Sequence, residues 1–272
     1  MPKEPTEEQV AASATTLLRR AVEWARDLTD EKLDVLHTLQ AGSDMAGDDA
    51  ATDPYHLSYM TIQSLQAARD SLLTVGDLTH DSLPGLRPGP PYTLCRAAIE
   101  NAAAALWLLA PDDRETRVLR CLWLWLDDSK DAAAVSEVTG QPLRVSLPER
   151  RERFAAIGLA AGLSPKQVLG ARANWTTVVK AADEHLGSRH DLEMTWRMCS
   201  GFMHARPWAS LAALERGEME DLDGGMVRLQ LSTSMHSLGF AAEQARRAGE
   251  AARALMDHRR LRWAVHERRG MP

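Results

Sequence analysis

Arg197 and His204 stand seven positions apart in Trp196-Arg197-Met198-Cys199-Ser200-Gly201-Phe202-Met203-His204-Ala205-Arg206-Pro207-Trp208, an otherwise apolar, helix-like run. Seven residues make almost two helical turns, so the guanidinium and the imidazole share a face, roughly 10 Å apart along the axis. Ser200 falls between them on nearly the same face. A cation, a hydroxyl and a titratable ring on one stripe can hold an anion and move a proton. Pro207 cannot continue the ladder, so it bends or ends the helix just past the histidine and leaves His204 reachable. Trp208, next to that break, is read as the edge of a cleft.

A second set lies earlier. Arg96 and Glu100 are four apart on an alanine-rich helix, hence on one face. They either pair with each other as an exposed stripe or point together into a polar cleft toward Arg197 and His204. On so apolar an element neither charge would be buried without a partner. Asp70, beside Arg69, could join that cleft or stand as an ordinary surface acid.

The Arg-to-His spacing carries no weight by itself. Among 27 arginines and nine histidines, His258 follows Arg253 and His266 follows Arg259 and Arg260 at comparable distances. What distinguishes His204 is context: apolar flanks, a serine between the pair and a helix break just after. No GxGxxG or GxxxxGK[ST] phosphate loop occurs, nor an HExxH, HxH or paired ExxH metal motif. Ser200 sits mid-helix, not on the strand-to-helix elbow that a hydrolase serine needs. Cys199 is read as core. No metal and no cofactor are expected.

The 272 residues suffice for a large core. We expect a single α-helical domain over 1–272, with a core at 54–206, an N-terminal helical arm at 6–41 and a C-terminal basic helix at 234–267. No apolar run reaches the roughly 18–20 residues of a membrane span, and Met1-Pro2-Lys3-Glu4-Pro5 lacks the apolar stretch of a signal peptide. Cys95, Cys121 and Cys199 show no CxxC spacing and read as reduced, packed thiols. A cytoplasmic location is expected. The net charge of −6 excludes wholesale nucleic-acid binding through charge alone. Residues 246–269 nevertheless hold eight arginines against three acids, read as a solvated helical face or a patch for an anionic partner.

The chain must position these groups on helices. Thr6-Glu7-Glu8-Gln9 reads as a capping box, and Thr29-Asp30 as a second start within 6–41. The Gly- and Asp-rich 41–53 reads as a loop, and Asp53-Pro54 as the start of a helix to Leu78. Leu83 to Pro91 is a non-helical break. Helices then follow over Tyr92–Ala110, from Pro111 to Val138, from Pro148 to Ala161, after Ser164-Pro165, and over Trp175–Leu186. Leu122-Trp123-Leu124-Trp125-Leu126 is expected to be buried on several sides. The run 189–206 and a short helix from Pro207 to Arg216 come next. Only 218–232 is strand-like, with Asp223-Gly224-Gly225 as its turn, before a last helix from Ser234 to Glu267. The fold class is all-α and bundle-like, with at most one small hairpin.

Arg197-x6-His204, with Arg96-Ala97-Ala98-Ile99-Glu100 on an earlier helix, resembles the HEPN superfamily (higher eukaryotes and prokaryotes nucleotide-binding). The segments Tyr92–Leu109 and Trp196–Trp208 also look like actinobacterial helical proteins of a HEPN-like type. The resemblance implies a four- to five-helix core, commonly a homodimer with its two Arg/His pairs facing each other. It implies a metal-independent endoribonuclease of the toxin–antitoxin or phage-defence kind, with RNA as substrate and an antitoxin or regulatory protein as partner. The alternative within the same family is a non-catalytic protein that binds a small ligand, a nucleotide or a protein. His204 would be general base or acid, Arg197 the phosphate ligand, and Ser200 a hydrogen-bond donor. Glu100 would orient His204 or Arg197, and Arg96 would supply a second cation. Family nucleases often carry Asn, Asp or His directly after the arginine, where this chain has Met198. A nuclease predicts an accessible His204; the alternative predicts an Arg197–Glu100 pair sealed under tryptophans.

Overall fold

The computed structural model describes residues 7–80, 87, 89–170 and 173–262. Among these, twelve α-helices and one two-stranded hairpin make an all-α fold. The helices are α1 (Glu7–Asp27), α2 (Asp30–Leu36), α3 (Asp44–Thr52), α4 (Leu57–His80), α5 (Gly89–Leu109), α6 (Arg114–Thr139), α7 (Leu147–Ala160), α8 (Pro165–Gly170), α9 (Trp175–Leu186), α10 (Asp191–Met203), α11 (Pro207–Ala213) and α12 (Met235–Arg260). Strands β1 (Glu215–Leu222) and β2 (Met226–Ser232) pair antiparallel around Asp223–Gly225. No helix among the described residues is long and apolar enough to cross a membrane.

Local chemistry sets the ends. Asp113 accepts from the Thr116 N–H at 2.7 Å and caps α6, whose other end is closed by Gly140 at φ 67°. Ser146 and Glu149 form a reciprocal capping box on α7. The box expected at Thr6 begins outside the described residues, where most of the 83–91 break and His266 also lie; the last helix, expected to reach Glu267, ends at Arg260, with 261–262 non-helical.

Four expectations are corrected. Residues 44–52 are a helix, not a loop: Ser43 caps α3, and its acids serve as buried acceptors. Asp53-Pro54 does not start α4, which begins at Leu57; Asp53 is the C-cap of α3. Gly89-Pro90-Pro91 forms the first turn of α5, where proline loses no hydrogen bond because those N–H groups have no intrahelical partner. The arginines of α12 are no uniformly solvated face: Arg246 and Arg259 are buried.

The chain groups into two compact units built from non-contiguous segments. One comprises residues 1–29, 65–103 and 179–250. Its interior includes Leu18, Val22, Leu72, Ile99, Val179 and Leu238. The Trp24 indole packs directly on Gly249 of α12, where an added Cβ would meet Cη2 at 2.4 Å. Beside it, Arg246 grips Glu243 through two bonds of 2.7 and 2.8 Å and reaches Glu250 at 2.6 Å. These bonds raise the Arg246 pKa and offset the cost of its burial.

The other unit comprises residues 30–64, 104–178 and 251–272. Val118, Leu122, Leu126, Phe154, Leu163 and Val168 form its apolar cluster. Of the Leu122–Leu126 run only the two end leucines are fully buried; Trp123, Leu124 and Trp125 are partly open. Alongside lies an ionic interior. Asp48 takes Arg117 bidentately at 2.7 and 2.9 Å, and Arg117 also donates to the carbonyls of Pro111 and Asp112. Asp49 caps α4 by accepting from the Ser58 N–H and hydroxyl. Arg259 donates to the carbonyls of Leu109 and Pro111, satisfying the C-terminus of α5.

Candidate functional site

Two contacts fix how α5 and α10 run past each other. The Trp196 indole N–H donates to Glu100 Oε1 at 2.8 Å, and Arg96 Nη1 reaches Met203 Sδ at 2.7 Å. The earlier residue of one helix meets the later of the other, so the helices are antiparallel along this face. Tyr92 stacks on Phe202 with ring centroids 4.1 Å apart, and its hydroxyl donates to the Ser234 carbonyl. Burial raises the Tyr92 hydroxyl pKa and keeps that donor protonated.

Within this frame Arg96 and Glu100 form the ion pair expected of them, Nη2 to Oε1 at 2.8 Å, but not as an exposed stripe. The Arg96 side chain is 15% exposed, and its Cζ stands 5.9 Å from the Trp196 ring centroid. Among the described residues its buried Nε has no hydrogen-bond partner. Ser200, half-buried, sits one turn past Trp196 on the stripe that faces α5.

His204 is the C-cap of α10 and is exposed. Among the described residues its imidazole has no hydrogen-bond partner. The helix ends here through backbone bonds: Ala205 N–H donates to Phe202 O and Arg206 N–H to Gly201 O, a Schellman closure. Ala205 takes φ 49° at the position glycine usually occupies. The helix thus stops before Pro207, which instead opens α11.

Arg197 does not join His204. Its Nε and Nη2 both donate to Glu193 Oε1, at 2.8 and 2.7 Å, one turn back toward the start of α10. The guanidinium is therefore drawn away from the end that carries His204. Nor does Arg197 pair with Glu100, whose Oε1 is shared by Arg96 and Trp196. Asp70 on α4 is exposed and pairs with its neighbour Arg69 at 2.9 Å; no hydrogen bond links it to the Arg96–Glu100 pair. Trp208 lies on α11 against Gly201, where an added Cβ would meet its Cζ2 at 3.1 Å. Cys199 is fully buried, and desolvation pushes its thiol pKa well up, so it is no nucleophile.

The structure adds a polar cradle at the other end of α10 that periodicity did not reveal. His190, the N-cap, takes φ 76° and makes no side-chain cap. Asp183 of α9 substitutes, accepting from the Leu192 N–H at 3.1 Å and from the Ser188 hydroxyl. With Lys180, His190 and Glu193 it lines a hollow of about 230 Å³. Only a buried aspartate on a helix would have signalled it, and burial of one acid is not written in sequence. Among the described residues no cluster of three His, Cys, Asp or Glu is arranged to hold a metal ion.

No protein-family model, curated protein or solved structure matches this chain.

Proposed function

We propose that this chain is a HEPN-like, metal-independent endoribonuclease of the cytoplasm, acting as a toxin or phage-defence effector, in which Arg96 and not Arg197 partners His204. The observation that carries this reading is the His204 imidazole at the C-cap of α10, exposed and without a hydrogen-bond partner among the described residues, next in the chain to Met203, whose sulfur Arg96 contacts. His204 would take the proton of a ribose 2′-hydroxyl as its oxygen attacks the neighbouring phosphorus. The bond to the 5′-oxygen breaks, and that oxygen leaves with a proton from the protonated imidazole of a second copy in a homodimer. The products are a 2′,3′-cyclic phosphate and a free 5′-hydroxyl. Glu100, tied to Arg96 and Trp196, orients the cation and not the base.

Incubating the full chain with mixed-sequence RNA in excess EDTA tests this. Fragments carrying 2′,3′-cyclic phosphate ends support the reading; intact RNA, or cleavage that needs added metal, rejects it. One observation favours the non-catalytic alternative, a ligand- or partner-binding protein of the same ancestry: Arg96 is already engaged by Glu100, Met203 and the Trp196 ring. Ligand binding without any cleavage would support that reading.

A further inference from the structure

The turn after α10 presents His204, Arg206 and Trp208 at alternate positions, all exposed. Arg206 is the N-cap of α11, and among the described residues its side chain has no hydrogen bond or ion pair. Trp208 is 53% exposed, yet it is not loose. Its indole rests on the backbone at Gly201, and the next residue, Ala209, is buried so tightly that a Cβ on Gly201 would stand 2.5 Å from its own. Pro207 fixes the backbone just before it. An aromatic that is braced from behind and open in front loses little freedom when something lies on it.

We infer that Trp208 is a stacking platform for an unpaired base and Arg206 the phosphate contact beside it, so that the RNA taken at this turn is single-stranded. The inference rests on the ribonuclease reading and names its substrate class. A duplex keeps its base faces covered by their neighbours; a single strand offers a free face and a phosphate within one nucleotide of each other. The neighbours of Trp208 also select the occupant. Two cation-capable side chains, His204 and Arg206, precede it within four positions, beside the exposed Met203 and Leu211; that mix of cations and apolar surface suits a strand that offers both phosphates and base faces.

The test uses the full-length His204→Ala chain, which binds without cutting, and fluorescence anisotropy with three short labelled probes. These are a single-stranded RNA, its duplex, and an abasic ribose-phosphate strand of equal length. The single strand should bind more tightly than the other two. Adding Trp208→Ala should weaken that binding about tenfold or more, Trp208→Phe by less, and neither should change binding of the abasic strand. Arg206→Gln should weaken all three probes alike.

Unchanged single-strand affinity in both Trp208 variants overturns the inference, as does equal affinity of the parent for base-bearing and abasic strands. Loss of self-association in Trp208→Ala with RNA binding intact also overturns it and marks a protein-docking surface. Wild-type cleavage of RNA alongside a silent Trp208 removes the platform alone; no cleavage by the wild type and no RNA binding remove the ribonuclease reading with it.

Discussion

Arg96 and Met203 are 107 positions apart in sequence, yet Arg96 Nη1 lies 2.7 Å from Met203 Sδ. That contact carries a cation from α5 to the end of α10 that bears His204. Arg197, on the same helix as His204, is held by Glu193 and faces the opposite end. Chain proximity and spatial partnership part company here.

The two arginines should therefore differ in kinetics. Arg96→Ala should slow RNA cleavage about 100-fold or more, the size of losing one transition-state donor, while Arg197→Ala should cost less than about tenfold. Single-turnover rates on the same RNA decide it; the reverse order would return Arg197 to the site.

Asp48 and Arg117 form the most buried ion pair among the described residues. Arg117→Met should destabilise the protein by about 3 kcal/mol, because it leaves the buried Asp48 carboxylate with only the half-exposed Arg114, at 3.1 Å, as a cation. Asp48→Leu combined with Arg117→Met should cost clearly less than the sum of the two single changes. Urea midpoints measure all three, and strict additivity would mean that the pair is not coupled.

Ala205 is in the left-handed region at φ 49°. Alanine there costs about 1–2 kcal/mol, and glycine returns part of that through the freer unfolded chain. Ala205→Gly should gain about 0.5–1 kcal/mol in urea unfolding. A loss of stability would show that the closure of α10 does not depend on this residue's backbone.

All three cysteines are buried and free. Desolvation pushes the Cys95 thiol up to about 12, and those of Cys121 and Cys199 well above the ordinary value. A raised pKa keeps each thiol neutral until the pH approaches that value. Between about pH 7 and 9, where an ordinary thiol of pKa about 8.5 ionises, the native chain should resist iodoacetamide, and the urea-unfolded chain should take up three equivalents. Rapid labelling of the native protein would contradict the burial.

Elements marked by proline or glycine were legible to within a few residues: the helices expected from Pro111 and Pro148 begin at Arg114 and Leu147, and Asp223-Gly224-Gly225 turns the hairpin, while the Asp113 and Ser146 caps went unread. The helix α3 was not, since its acids look solvent-seeking until Arg117 and Ser58 come to meet them from elsewhere in the chain. Arg246 and Arg259 misled for the same reason: a charge reads as surface unless its partner is known. At the candidate site, spacing put Arg96 and Glu100 on one face and His204 near a helix end, but left open whether the two charges pair with each other or turn into a shared cleft. It could not foresee that Glu193, one turn back, captures Arg197, because a guanidinium on a long side chain chooses among acids within a turn of it in either direction.

The most direct measurement compares wild type with His204→Ala on one RNA in EDTA, with circular dichroism showing equal folding. The ribonuclease account predicts cleavage by the wild type and a fall of about 100-fold or more in the variant, from the lower end of the range for a general acid–base group upward. Equal cleavage by both chains, or none by the wild type, would contradict it.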